Sequence, residues 1–132
     1  CILIDSRYFR DRLEKDPTGK ERYRTNLEGD MLGETQWQWL ESEIAQSNAN
    51  LFLIGTGIQI IPQEQVYEKW GNFPKARQRF LDLLAKFPNK RFLLLTGDRH
   101  IAEISKIQLP DGQYPVYEFT SSGLTHTWVD ST

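Results

Sequence analysis

The sequence predicts an α/β fold built on a largely parallel sheet, and three observations predict it. Apolar runs of strand length stand at residues 2–5, 51–54 and 91–96. Segments with helical periodicity separate them, at residues 33–47 and from Pro74 onward. Each run closes on a carboxylate or a glycine, at Asp5, Gly55 and Gly97-Asp98. Strand, helix, strand, helix, strand implies right-handed crossovers and parallel neighbours, with later strands antiparallel at one side.

Taken in order, residues 2–5 form a first strand that ends in Asp5. Residues 6–31 are dense in Arg, Lys, Asp and Glu, turn at Pro17-Thr18-Gly19, and read as a long surface loop or excursion, of a length uncommon unless functional or disordered. Trp37, Leu40 and Ile44 recur at spacings of three and four, which marks the buried face of a first helix. Trp39 falls off that face, and Asn48-Ala49-Asn50 closes the helix with turn chemistry. Residues 51–54 follow as a strand, and residues 58–71 are irregular. Pro74 suits a first helical position, where its missing N–H costs nothing. Ala76, Phe80, Leu83, Leu84 and Phe87 then share one face, and Pro88 stops the second helix. After the strand at 91–96, Ile101, Ile104 and Ile107 lie on a short alternating stretch. Asp111-Gly112 marks a turn, and residues 115–120 and 124–129 have strand patterns.

Composition narrows the function classes. With 39% hydrophobic and 26% charged residues the chain is ordinary for a globular domain. Sixteen basic against eighteen acidic residues leave a net charge of −2, without the basic excess a non-specific nucleic-acid binder uses to neutralise phosphates. Specific nucleic-acid binding is not expected either. The single cysteine, Cys1, excludes an intrachain disulfide. The longest apolar runs, 51–54 and 92–95, fall far short of the roughly 20 residues a membrane span needs. The chain opens inside a strand pattern without a Met. Residues 1–132 are therefore expected to be part of one domain of a longer protein, and no localisation follows from them.

In parallel α/β sheets ligands gather at the carboxyl ends of strands. Three such ends carry polar chemistry here: Asp5-Ser6-Arg7, Gly55-Thr56-Gly57 and Gly97-Asp98-Arg99-His100. In the last, Asp98 offers a hard oxygen and His100 a nitrogen donor, a pair suited to a transition metal or a mixed-metal centre. Arg99 between them can take a phosphate or carboxylate oxygen. The same four residues also compose an ordinary solvated turn, so the motif alone leaves both readings open. Asp5, Arg7 and Arg10 form a second charged group, able to clamp an anion or simply to be solvated. Gly55-Thr56-Gly57 lacks the Lys and second hydroxyl of a P-loop. Close backbone packing is its expected role, with Gln59 as a polar contact into the site. No Gly-x-Ser-x-Gly elbow occurs, and His126 is either a further residue able to reach the site or, the more ordinary reading, a hydrogen-bonded structural histidine.

Together these segments resemble the C-terminal part of the PhoD-like alkaline phosphatases, a branch of the calcineurin-like metallophosphoesterases. The resemblance rests on Ile4-Asp5-Ser6-Arg7-Tyr8-Phe9-Arg10 and Leu32-Gly33-Glu34-Thr35-Gln36-Trp37-Gln38-Trp39-Leu40. It continues through Gly57-Ile58-Gln59, Glu68-Lys69-Trp70-Gly71-Asn72-Phe73-Pro74 with Arg77 following, Gly97-Asp98-Arg99-His100 and Ser121-Ser122-Gly123-Leu124-Thr125-His126. It implies a metallophosphatase-like β-sandwich with flanking helices, of which only the C-terminal portion is present. It also implies a metal-dependent phosphoesterase acting on a phosphate ester, with iron and calcium as the metals. By the same resemblance Asp98 and His100 take the places of two metal ligands, while Arg99 or Arg7 neutralises charge developing at phosphorus. Hence the expected catalytic residues are His100, Arg99 and Arg7, and the expected substrate contacts are Arg7 and Gln59.

Two departures from the family pattern qualify this. Trp70-Gly71-Asn72-Phe73-Pro74 replaces the more usual Trp-Asp-Gly-Tyr-Pro. The Asp-rich and Asp-His-Asp-Tyr-like segments that supply most ligands lie outside the chain. Residues 1–132 alone are accordingly expected to be inactive and to need the N-terminal half of the parent protein. A non-catalytic anion-binding or interaction domain that retains the fold is the alternative.

Overall fold

The computed structural model describes residues 1–111 and 113–123. Its elements are β1 (Ile2–Leu3), α1 (Glu34–Gln46), β2 (Leu51–Gly55), α2 (Pro74–Ala85), β3 (Arg91–Thr96), β4 (Ala102–Ile107) and β5 (Val116–Ser121), with a short 3-10 turn at Trp70–Asn72. They form one five-stranded sheet in the order β1-β2-β3-β5-β4. β1, β2, β3 and β5 run parallel, and only the edge strand β4 is antiparallel. The expected parallel α/β sheet with an antiparallel side is therefore present, but β5 inserts between β3 and β4. Residues 102–107, read as a short alternating stretch, are a full strand. The strand expected at residues 124–129, and His126, lie outside the described residues, as does Gly112 of the expected Asp111-Gly112 turn. Among the described residues no helix is long and apolar enough to cross a membrane.

Local chemistry accounts for the boundaries. β1 stops short of Asp5 because the Asp5 N–H leaves the ladder to donate to Gln36 Oε1 at 2.8 Å. Gly33, at φ 72°, precedes α1 without a side-chain cap of its own. Asp30 supplies the missing acceptor: one oxygen takes the Gly33 N–H and the other the Trp37 indole N–H, both at 2.8 Å. α2 begins at Pro74 as expected and closes at Ala85, earlier than Pro88 itself. A proline disfavours helical backbone in the residue before it, so the last turn tightens and the Phe87 N–H bonds Leu84 O at 3.1 Å.

One face of the sheet and both helices enclose the core. Trp37, Leu40 and Ile44 of α1 and Phe80, Leu83 and Leu84 of α2 pack with Ile54, Phe92, Leu94 and Val116. Trp70 joins the helices, 6.2 Å from the Trp37 ring and 5.2 Å from Phe80. At Gly55 a Cβ would come within 2.5 Å of Leu3 Cδ2, the end of an exposed side chain, while the nearest backbone atom of β1 stays 3.9 Å away. The opposite face is apolar and open: Leu3, Ile104, Tyr117 and Phe119 are exposed across it, with Leu95 between them. A sandwich's second layer would cover this face, and no such layer is present among the described residues.

Candidate functional site

Because β1, β2 and β3 are parallel neighbours, their carboxyl ends share one rim, and of the residues singled out in the sequence Arg7 and Asp98 meet there. Arg7 is the link. Its Nη2 donates to Asp98 Oδ2 at 3.2 Å and its Nη1 to Glu68 Oε2 at 2.9 Å. Arg10 pairs with the other Glu68 oxygen. The start of the charged excursion, the segment before the 3-10 turn and the Gly97–His100 turn are thus joined by one ion-pair network. Asp5 serves as a local brace. Its Oδ1 accepts the Arg7 and Tyr8 N–H groups at 2.7 and 2.9 Å, and these bonds hold its carboxyl below the usual range.

Asp98 and His100 both adopt left-handed backbone, at φ 70° and φ 56°. Non-glycine residues adopt this region at a cost, and such strain gathers at binding sites. The turn is held from behind by the His100 N–H, which donates to Ser122 Oγ at 3.0 Å. About half of the Asp98 side chain remains exposed, as does half of Arg7. Exposed ion pairs of this sort contribute roughly 0–1 kcal/mol, so a cation could displace Arg7 from Asp98 at small cost.

Arg99 makes no ion pair with Asp98 among the described residues. Its guanidinium lies over the Tyr67 ring, 4.9 Å from the centroid. Gln59, expected at the substrate, is buried instead: its Nε2 donates to Thr120 Oγ1 and Glu103 Oε2, each at 2.9 Å. That amide is one member of a buried polar chain behind the rim. Thr120 Oγ1 meets Thr96 Oγ1 at 2.8 Å, and Thr96 donates to Glu118 Oε1 at 2.9 Å. Glu118, fully buried, also accepts the Ile60 and Ile61 N–H groups. Arg77 Nε donates to the Ile60 carbonyl at 2.6 Å. Burial pushes the Glu118 carboxyl up and the Arg77 guanidinium down.

Sequence inspection did not single out Glu68, Tyr67 or Glu118. Glu118 does carry a signal: it occupies the buried parity of β5 between Val116 and Thr120, where an unpartnered carboxylate would be costly.

As for metal, the donors fit in kind but not in number. Asp98 offers a half-exposed carboxylate at the rim, and His100 stands two residues on in the same turn. Among the described residues no three His, Cys, Asp or Glu side chains converge on a common point. A two-metal centre requires more ligands than these.

A helix-backed, mostly parallel sheet with Asp98 and Arg7 paired at its carboxyl rim defines an α/β domain. The PhoD-like phosphatase family model matches residues 1–132, and the chain belongs to that family. A solved structure described as "Structure of PhoD" is similar in fold, with a TM-score of 0.73 at 19% identity. The match covers 93% of this chain and 26% of that one, so the chain spans about a quarter of its solved relative. No curated protein matches the chain.

Proposed function

We propose that residues 1–132 are the C-terminal part of a metal-dependent phosphoesterase, which hydrolyses phosphomonoesters or phosphodiesters once the rest of the parent protein is present. The observation that carries this is the pairing of Arg7 with Asp98 at one strand-end rim, in a solvent-open turn where Asp98 and His100 both hold left-handed backbone. Asp98 would hold a hard cation through an anionic oxygen. His100 would either ligate as well or donate to a phosphoryl oxygen. Iron and calcium, the metals the family resemblance implies, would supply an activated water and charge neutralisation when bound.

Arg7 keeps Asp98 aimed at the rim and, once released from it, faces the same space as a donor to anionic oxygens. Arg99 neutralises charge that develops on the transferring phosphoryl group. Gln59 acts from inside, holding the loop after β2 in register with β5, and not by touching substrate. The remaining metal ligands would come from the N-terminal half of the parent, whose sheet would also cover the open apolar face.

Metal analysis of the full-length protein, with assays on a chromogenic phosphomonoester and a phosphodiester, tests this. Bound metal and turnover that a chelator abolishes are expected. Metal-free protein that binds phosphate without turnover would favour the non-catalytic anion-binding domain, a reading supported by the small number of ligands at the rim. Produced alone, residues 1–132 are expected to be inactive and to self-associate through the open face, as large apolar patches do. A monomeric, cooperatively melting fragment on gel filtration and calorimetry would instead support an independent interaction domain.

A further inference from the structure

Three guanidiniums stand near the rim, and they are not equivalent. Arg7 and Arg10 are committed to Glu68 and Asp98. Arg99 has no carboxylate partner among the described residues. Its Nη1 is buried there without a hydrogen-bond acceptor. A buried N–H left without an acceptor is costly, and a water, an ion or a ligand oxygen completes it; Arg10 Nε is in the same position, but its guanidinium is already paired with Glu68. What holds Arg99 is an aromatic ring. Tyr67 carries the Arg99 guanidinium at 4.9 Å and the Arg22 guanidinium at 5.7 Å from its centroid. The Arg22 N–H also donates to Val66 O at 3.2 Å, which fastens the excursion to the residue before Tyr67. A ring face attracts a guanidinium through its quadrupole and leaves the N–H donors unspent, whereas a carboxylate would consume them.

We propose that Tyr67, backed by Arg22, is a positioning residue that holds Arg99 with its Nη1 donor ready for a phosphoryl oxygen of the ester. This makes the 6–31 excursion part of the anion site, and it rests on the phosphoesterase reading above. The test uses the full-length protein and two readouts: the Kd of inorganic phosphate by calorimetry, and KM and kcat on a chromogenic phosphate ester. Tyr67→Ala should weaken phosphate and raise KM by about three- to tenfold, in keeping with a lost cation–π contact, with a smaller change in kcat. Tyr67→Phe, which keeps the ring, should recover what alanine loses. In an Arg99→Ala background, Tyr67→Ala should add nothing. If Tyr67→Ala does not fold, Tyr67→Leu makes the same test, since it keeps bulk and removes the ring.

Unchanged phosphate affinity and KM in the Tyr67 variants, alongside a weakened Arg99→Ala, would overturn the positioning role and leave the phosphoesterase reading standing. Losses that add to those of Arg99→Ala would overturn it as well, because Tyr67 would then act through the fold. Phosphate binding and turnover indifferent to Arg99→Ala would instead remove Arg99 from the anion site, and Tyr67 with it.

Discussion

Asp98→Asn in the full-length protein is expected to lower bound metal and phosphoester hydrolysis together, by about tenfold or more, the loss that follows when even a supporting metal contact is removed. Asparagine is the informative replacement because it isolates charge from shape. Asp98 sits at φ 70°, and asparagine is among the few side chains that enter left-handed backbone readily. The turn should therefore survive, with the His100 N–H still on Ser122 Oγ. What disappears is the anionic oxygen now facing Arg7 at 3.2 Å. That contact joins two half-exposed side chains and contributes little to stability, so the melting temperature should hardly move while metal content falls. His100→Ala separates the two donors: it should reduce turnover and need not release metal. Full metal occupancy and normal turnover in Asp98→Asn would sink the ligand assignment and leave the motif an ordinary solvated turn.

The contrast between Asp98 and Gln59 shows which parts of the site the sequence could disclose. Asp98 lies two residues beyond β3, close enough for the strand–helix alternation to bring it to the rim, whereas Arg7 and His100 lie four residues beyond β1 and β3. Gln59 lies four residues beyond the end of β2, where no periodicity constrains direction, and its amide points into the protein instead of out of it. The elements themselves were legible wherever an apolar pattern was long. Trp37, Leu40 and Ile44 of α1, and the buried positions of α2, are where a period of 3.6 puts them. β4 was harder to read because it is an edge strand whose residues alternate between exposed and partly buried, with no fully buried position to set the pattern. The placement of β5 between β3 and β4 depends on pairing across non-consecutive strands, which local composition does not encode. Glu68 was missed for a related reason. Its two oxygens bind Arg7 and Arg10 from about sixty residues away, and a lone glutamate before a lysine carries no trace of that in the sequence.

Glu118→Ala should produce the largest loss of stability, on the order of 3 kcal/mol or more, because it orphans several buried donors at once. The Ile60 and Ile61 N–H groups and the Thr96 hydroxyl all end on this carboxylate, and no water-exposed route replaces it at a fully buried position. Arg77 loses as well. Burial already disfavours its charge, and the nearby Glu118 charge is what offsets part of that effect. Since Arg77 also bonds the Ile60 and Ile61 carbonyls, the loop after β2 should loosen on both sides. Urea denaturation of the full-length protein would measure this as a lower midpoint, and an unfolding free energy within about 0.5 kcal/mol of wild type would place Glu118 among ordinary surface positions. Glu118→Gln keeps the volume but turns one acceptor into a donor facing other donors, so a smaller loss is expected. The two variants should also differ from wild type in pH dependence. Burial raises the Glu118 carboxyl in the folded state, so the folded protein binds this proton more tightly than the unfolded chain does. The stability linked to that proton is fully present below the ordinary glutamate range and declines as pH rises through the raised value. Glutamine cannot titrate, so Glu118→Gln should remove this decline, and a wild-type slope retained in the variant would assign the effect to another group.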